Sequence, residues 1–293
     1  MNARILDGRI LAQALKEALK REAADLKKQT GMTPRLVNVM IGDDHGACAY
    51  AKAQKTAADY IGIQYELAVL PADVSQGDFI HRIKQFNDDA GINGIMIHKP
   101  IPLRINYGVI ANQVDTGKDL EGINATNIGR MMLGETTIIP CTPASVMEHL
   151  RSTKINLRGQ EAVVVGHSDI VGKPLSLLLL AQHATVTVCH IATSEAGRLR
   201  NHVARADILV VAVGKPALIK GSWVKLGAIV VDVGINRIGD KIVGDVEFDS
   251  AKKRAAYITP VPGGVGPLTA VMLMRNGLEA FKAQVNARGK IKA

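Results

Sequence analysis

Aromatic residues are scarce in this chain: one tryptophan, five tyrosines and four phenylalanines make up 3% of its 293 positions. Proteins that hold single-stranded nucleic acid stack bases on aromatic rings, so there is little here to build such a platform. Long apolar runs are also missing. None approaches the roughly 20 residues that span a bilayer. The opening stretch, MNARILDGRILAQALKEALK, spreads charges throughout and lacks a small-residue cleavage site, which argues against a secretory leader. The three cysteines, Cys48, Cys141 and Cys189, are odd in number and far apart. They fit reduced thiols better than a disulfide framework, and without CxxC or HExxH no metal site is expected. These absences point to a cytoplasmic, metal-free protein that does not enter membranes.

What is present is an ordinary globular composition, 47% hydrophobic and 22% charged, in a chain long enough for two domains. The formal charge of +9 invites a nucleic-acid or membrane reading. However, Lys16, Lys20, Lys27 and Lys28 fall on solvated positions of one amino-terminal helix, and an anionic small ligand accounts for the surplus as well. No nucleic-acid partner is expected.

Apolar residues recur at helical spacing over 9–28, and strand-like runs follow at 36–41, 65–70 and 94–97, separated by helical stretches at 47–60 and 76–86. A looser segment, 115–143, reads as loops and short elements. Pro143 can sit in the first turn of a helix over 144–150. A second alternating series has strands at 162–165, 185–189, 208–213 and 228–233, with helices at 171–181 and 197–204. A last helix spans 268–285. Strands alternating with helices imply βαβ units and a mostly parallel sheet, hence a two-domain α/β protein. The expected division is 1–143 plus a carboxyl-terminal helix at about 268–293 for one domain, and a Rossmann-like domain over 144–267.

The run VVVGHSDIVGKP (163–174) places a glycine turn between a strand and a helix. Glycine lets the backbone approach a pyrophosphate, and the helix amino terminus offers N–H groups and a positive dipole end. The spacing from Gly166 to Gly172 is one residue longer than GxGxxG, and a plain strand–helix turn can share it. The strands ending in Val213-Gly214 and Val233-Gly234 strengthen the nucleotide reading, because ligands sit at the carboxyl ends of such strands.

Together with VVAVGKP (210–216), VVDVGINR (230–237) and above all TPVPGGVGPLT (259–269), this run resembles the methylenetetrahydrofolate dehydrogenase/cyclohydrolase family. GIMIHKPIP (94–102), KDLEG (118–122) and PCTP (140–143) agree, and the resemblance covers residues 4 to 282. It implies a folate domain, a Rossmann-like NAD(P) domain, a cleft between them and a homodimer. It also implies that Tyr50, Lys99, Pro100, Glu121, Pro262, Gly263 and Gly264 bind the folate. Gly166, His167, Ser168, Ile170, Val171, Ile191 and Ile235 would then bind the cofactor.

The chain departs from that family where the chemistry is done. The family's Tyr-x-x-x-Lys is Tyr50-Ala51-Lys52-Ala53-Gln54 here, its strand-end glutamine is His98, and its pterin-binding aspartate is Glu121. Residues i and i+4 share a helix face, so Tyr50 and Gln54 are expected to point into the cleft, with Lys52 turned away. Tyr50, Gln54, His98 and Glu121 are the candidate catalytic set. Loss of hydride from the methylene carbon leaves a cation shared by two folate nitrogens, a step that demands alignment but no protein base. Hydrolysis of the methenyl group needs protons moved, and general acid–base catalysis contributes about 10²–10⁴-fold. Gln54 cannot ionise. His98, which ordinarily titrates near neutrality, either takes over that role or is a hydrogen-bonded strand-end residue. A protonated lysine near the nascent cation would oppose it by about 4 kcal/mol at 4 Å and an effective dielectric of 20, so Gln54 suits a dedicated dehydrogenase.

No arginine stands at positions 167, 191 or 192 to grip a 2′-phosphate bidentately, and no acid ends the second strand to take ribose hydroxyls. The balance falls slightly toward NAD over NADP. The expected activity is NAD(P)-dependent oxidation of methylenetetrahydrofolate, with cyclohydrolase activity weakened, lost or rerouted. The alternatives are another reduced-pterin one-carbon adduct as substrate, or a folate- or nucleotide-binding protein without turnover.

Overall fold

The computed structural model describes residues 2–135 and 138–289. The chain begins with β1 (Arg4–Ile5), α1 (Gly8–Thr30), β2 (Arg35–Ile41), α2 (His45–Ile61), β3 (Gln64–Leu70), α3 (Gln76–Asp88) and β4 (Gly94–Ile97). Next come α4 (Tyr107–Ala111), α5 (Ala125–Met132), α6 (Cys141–Ser152), β5 (Glu161–Val165), α7 (Gly172–Ala181) and β6 (Thr185–Cys189). The rest comprises α8 (Ile191–Glu195), α9 (Leu199–Arg205), β7 (Ile208–Val211), β8 (Ile229–Asp232), β9 (Asn236–Ile238), β10 (Lys241–Val243), α10 (Phe248–Ala251), β11 (Tyr257–Ile258) and α11 (Val265–Ala287). The fold is α/β with two parallel sheets and a small antiparallel pair, β9 and β10, divided into two compact units, Gln13–Pro140 with Ala270–Ala293 and Met1–Ala12 with Cys141–Thr269.

In the first unit three parallel strands run in the order β3-β2-β4. Its helices start and stop on local signals. The Asp44 side chain accepts from the Ala47 N–H at 2.9 Å to cap α2, and Ser75 caps α3 by accepting from the Asp78 N–H at 3.1 Å. Phe79 and Ile83 of α3 are fully buried against Val37, Val39, Ile95 and Ile97. Burial of each such side chain stabilises by about 1.5–3 kcal/mol. The short β4 delivers His98 directly from its carboxyl end, and β2 leads through residues 42–44 into α2.

The second unit carries a six-stranded sheet in the order β1-β11-β8-β7-β5-β6, every neighbouring pair parallel. Residues 2–12 fall in this unit, whereas the division expected from the sequence placed them with the other. Arg4 and Ile5 pair with Tyr257 and Ile258, and the Leu6 N–H donates to the Ile258 carbonyl at 2.8 Å. A strand of two residues has no periodicity to reveal it. The apolar runs at 208–213 and 228–233 prove to be central strands, flanked by neighbours on both sides, and the sheet's edges are β1 and β6. The helix expected over 197–204 is α9, and a further short helix, α8, precedes it, with Gly197 between them at φ 68°. Among the described residues no helix is long and apolar enough to cross a membrane.

Candidate active site

In the six-stranded unit, a cavity of about 360 Å³ opens at the carboxyl ends of β5, β6 and β7. Its walls include Gly166, His167, Ser168, His190, Ile191, Ser194, Val213 and Lys215. Gly166 has φ 122°, and a Cβ there would lie 2.3 Å from the Ala212 carbonyl oxygen. A side chain at Gly172 would meet the Gly166 oxygen at 2.0 Å. Both glycine positions are thus closed to any side chain, and the turn leads into α7, whose amino terminus no side chain among the described residues caps. Bare backbone, a helix start and a cavity at strand ends fit a dinucleotide. The His167 and His190 rings lie 5.3 Å apart and tilted by 44°. Of the expected cofactor residues, Gly166, His167, Ser168 and Ile191 come together here. Ile170, Val171 and Ile235 do not line the cavity, and Ile235 is 69% exposed.

The three-stranded unit holds the other expected residues except Pro262, Gly263 and Gly264, which lie just before α11 in the six-stranded unit. Tyr50 on α2 and His98 after β4 form an edge-to-face pair with ring centroids 5.8 Å apart. Gln54, one turn beyond Tyr50, does not project into open space as expected. It is fully buried. Its Oε1 accepts from the Asn38 amide at 2.7 Å and from the Tyr65 hydroxyl at 3.0 Å, while its Nε2 lies 3.3 Å from the Met96 sulfur. A carboxamide can sit there because neutral donors and a polarisable sulfur surround it. Lys52 and Lys55 lie exposed on the helix, and Lys55 pairs with Asp59.

His98 is also buried, with 1% of its surface exposed, and among the described residues its Nε2 meets no hydrogen-bond partner. Burial without a compensating charge pulls its pKa down to about 4. The expectation that His98 titrates near neutrality is therefore corrected: at pH 7 the ring is neutral and a weak proton acceptor. Lys99 places its ammonium 3.9 Å from the Tyr107 ring centre, next to exposed Pro100. Glu121 is half-buried on the loop between α4 and α5, which is held firmly. Asp119 accepts from the Asn124 N–H at 2.8 Å and the Asn127 amide at 2.9 Å. The Lys118 ammonium donates to the carbonyls of Phe86, Asn87 and Asp89 at the end of α3, so it is committed to structure.

Asn38 and Tyr65 did not figure among the expected site residues. The signal for Asn38 was available, since it is the one amide in the apolar run LVNVMI of β2. Tyr65 stands on an edge strand of mixed character, and nothing in its spacing marks it.

Residues 140–285 match the model described as tetrahydrofolate dehydrogenase/cyclohydrolase, NAD(P)-binding domain, and residues 6–121 match the catalytic domain of the same name. The bifunctional protein FolD of Bacillus pumilus is 44% identical over 283 residues, 96% of this chain and 99% of that one. Among solved structures, the bifunctional methylenetetrahydrofolate dehydrogenase/cyclohydrolase FolD of Campylobacter jejuni superposes with a TM-score of 0.92 at 38% identity. The alignment covers 96% of this chain and 99% of the other. The Trypanosoma brucei methylenetetrahydrofolate dehydrogenase-cyclohydrolase, complexed with NADP and an inhibitor, gives 0.93 at 37% identity over 97% and 99% of the two chains.

Proposed function

Since the chain belongs to the tetrahydrofolate dehydrogenase/cyclohydrolase family, we propose that it oxidises methylenetetrahydrofolate to methenyltetrahydrofolate and hydrolyses the product little or not at all. The observation that carries this reading is the state of Gln54: uncharged, buried, and engaged through its oxygen by Asn38 and Tyr65. Neutral His98 beside Tyr50 does not replace the missing proton carrier. Oxidation does not need one. A nicotinamide cofactor held at Gly166, His167 and Ser168 would supply the hydride acceptor, and the protein's task is to align the folate. In this reading Tyr50 bounds the folate, Glu121 takes the pterin N–H donors, and Lys99 and Pro100 complete the folate site of the three-stranded unit.

For the cofactor, the cavity offers no arginine for a 2′-phosphate and no carboxylate for a ribose diol. The reading is that NAD and NADP both serve and that NADP has no large advantage. The protein is also proposed to act as a homodimer. The support is the edge strand β6, whose Val188 is 38% exposed, together with Leu180 of α7, 52% exposed. Light scattering should give about twice the chain mass of 31.3 kDa; a monomer at micromolar concentration contradicts it.

Restoring the missing side chains tests the main reading. Absorbance decay of methenyltetrahydrofolate should stay near background for the native protein and for His98→Gln. It should rise with Gln54→Lys, and most in the double variant, because the two positions act as a unit. Fast native decay that disappears in His98→Gln would give His98 the base's role instead.

A further inference from the structure

The six-stranded unit contains a second buried polar constellation, at the carboxyl ends of β7 and β8, that no step above uses. Asp245 is fully buried. Its Oδ2 accepts from the Val213 and Gly214 N–H groups at 2.7 and 3.0 Å, and its Oδ1 from the Lys215 N–H and the Asn236 amide, both at 2.8 Å. Asp232, 4% exposed, accepts through Oδ1 from the Gly234 N–H at 2.9 Å and from the backbone N–H of Asp245 at 3.0 Å. Its Oδ2 accepts from the Val246 N–H at 2.8 Å. One carboxylate therefore seats the other.

The surroundings are cut to admit them. A Cβ on Gly234 would fall 2.2 Å from the Asp245 carboxyl carbon, and one on Gly244 would fall 1.9 Å from Asp232 Oδ2. Three consecutive backbone N–H groups converge on Asp245, and only a group with several acceptor sites and no donor can satisfy them together with an amide. Val213 and Lys215, the outer members of that triplet, line the cavity at the ends of β5, β6 and β7.

We propose that Asp245, seated by Asp232, is a positioning residue for the nicotinamide cofactor. It fixes the Val213-Gly214-Lys215 turn as one wall of the cofactor cavity, so that the wall stands formed before the cofactor arrives. This rests on the reading of that cavity as the cofactor site. Preorganisation of this kind is felt in affinity, because a loose wall must be ordered on binding.

The test is Asp245→Asn in the full chain. This keeps the shape but turns one acceptor into a donor, leaving at least one turn amide without its partner. Three quantities are measured: dissociation constants for NAD and NADP by calorimetric titration, that for tetrahydrofolate, and hydrogen exchange of amides 213–215 without cofactor. The expected result is at least a tenfold rise in both cofactor constants, at least tenfold faster exchange at 213–215, and a tetrahydrofolate constant within twofold of native. Unchanged cofactor constants, whether or not exchange or melting temperature moves, would make Asp245 a stability element only and overturn the proposal. If the native protein binds neither cofactor, the cavity reading itself falls. If Asp245→Asn does not fold, Asn236→Ala removes one of the four donors and asks the same question. It should raise the cofactor constants at least threefold, and an unchanged value overturns the proposal.

Discussion

The Tyr65 hydroxyl and the Asn38 amide both donate to the same oxygen of Gln54, at 3.0 and 2.7 Å, inside the three-stranded unit. Replacing Gln54 with leucine takes the shared acceptor from the half-buried Tyr65 hydroxyl and from the buried Asn38 amide, the latter alone costing about 1–3 kcal/mol. Tyr65→Phe removes one donor and leaves Gln54 paired with Asn38, a loss of about 1 kcal/mol. Chemical denaturation should therefore rank Gln54→Leu below Tyr65→Phe by at least about 1 kcal/mol. Equal stabilities would mean that the carboxamide is not held as the structure places it.

His98 gives a pH signature. Its folded pKa, about 4, lies below its ordinary 6.5 because burial disfavours the charged ring. Between those values the unfolded chain binds a proton that the folded one refuses. The contribution is complete above pH 6.5 and is lost as pH falls toward 4, by about 3 kcal/mol in all. Asp232 pulls the other way: burial raises its pKa to about 6, so its folded form is favoured at the acid end. The comparison must accordingly be native against His98→Gln. The stability difference between them should shift by about 3 kcal/mol against the native protein from pH 7 to pH 4. A difference that stays flat would place His98 in water or beside an unseen partner.

At Gly166, both the φ of 122° and the 2.3 Å approach to the Ala212 oxygen exclude a methyl group. Gly166→Ala should cost at least about 2 kcal/mol in unfolding free energy, through backbone strain and displacement of the β7 end. It should also weaken cofactor binding tenfold or more. A variant with native stability and affinity would show that the turn is looser than drawn.

Cofactor choice follows from what surrounds the cavity. Charge-assisted hydrogen bonds are worth roughly 1.5–3 kcal/mol, and positions 167, 191 and 192 provide no arginine to make them. Initial rates at pH 8 should show NADP favoured over NAD by less than about tenfold, on the scale of 1.4 kcal/mol per decade. A larger preference would assign Lys215 and Ser194, which share the cavity, a phosphate-binding role.

Much of this architecture could be read from residue order, because buried parallel strands are written as apolar runs such as EAVVV and ILVV. β1 and β11 could not, since two-residue strands are defined by partners far away in sequence. The glycine turn at 166–172 was legible for a steric reason: only glycine tolerates that approach. The fate of Gln54 was not. Helical spacing places it on the face of Tyr50, but whether that face meets solvent or a buried amide depends on Asn38 and Tyr65, which lie on other elements. The same limit hid the low pKa of His98, because burial belongs to the folded environment and not to the motif.

The most direct measurement follows both reactions on one native sample, the oxidation of methylenetetrahydrofolate by reduced-cofactor absorbance and the decay of methenyltetrahydrofolate at its own band. Without a proton carrier, hydrolysis should fall short by the 10²–10⁴-fold that general acid–base catalysis supplies. The expected result is steady cofactor reduction, accumulation of the methenyl product, and decay of added methenyltetrahydrofolate within about twofold of the enzyme-free rate. Enzyme-dependent hydrolysis that keeps pace with oxidation would contradict it.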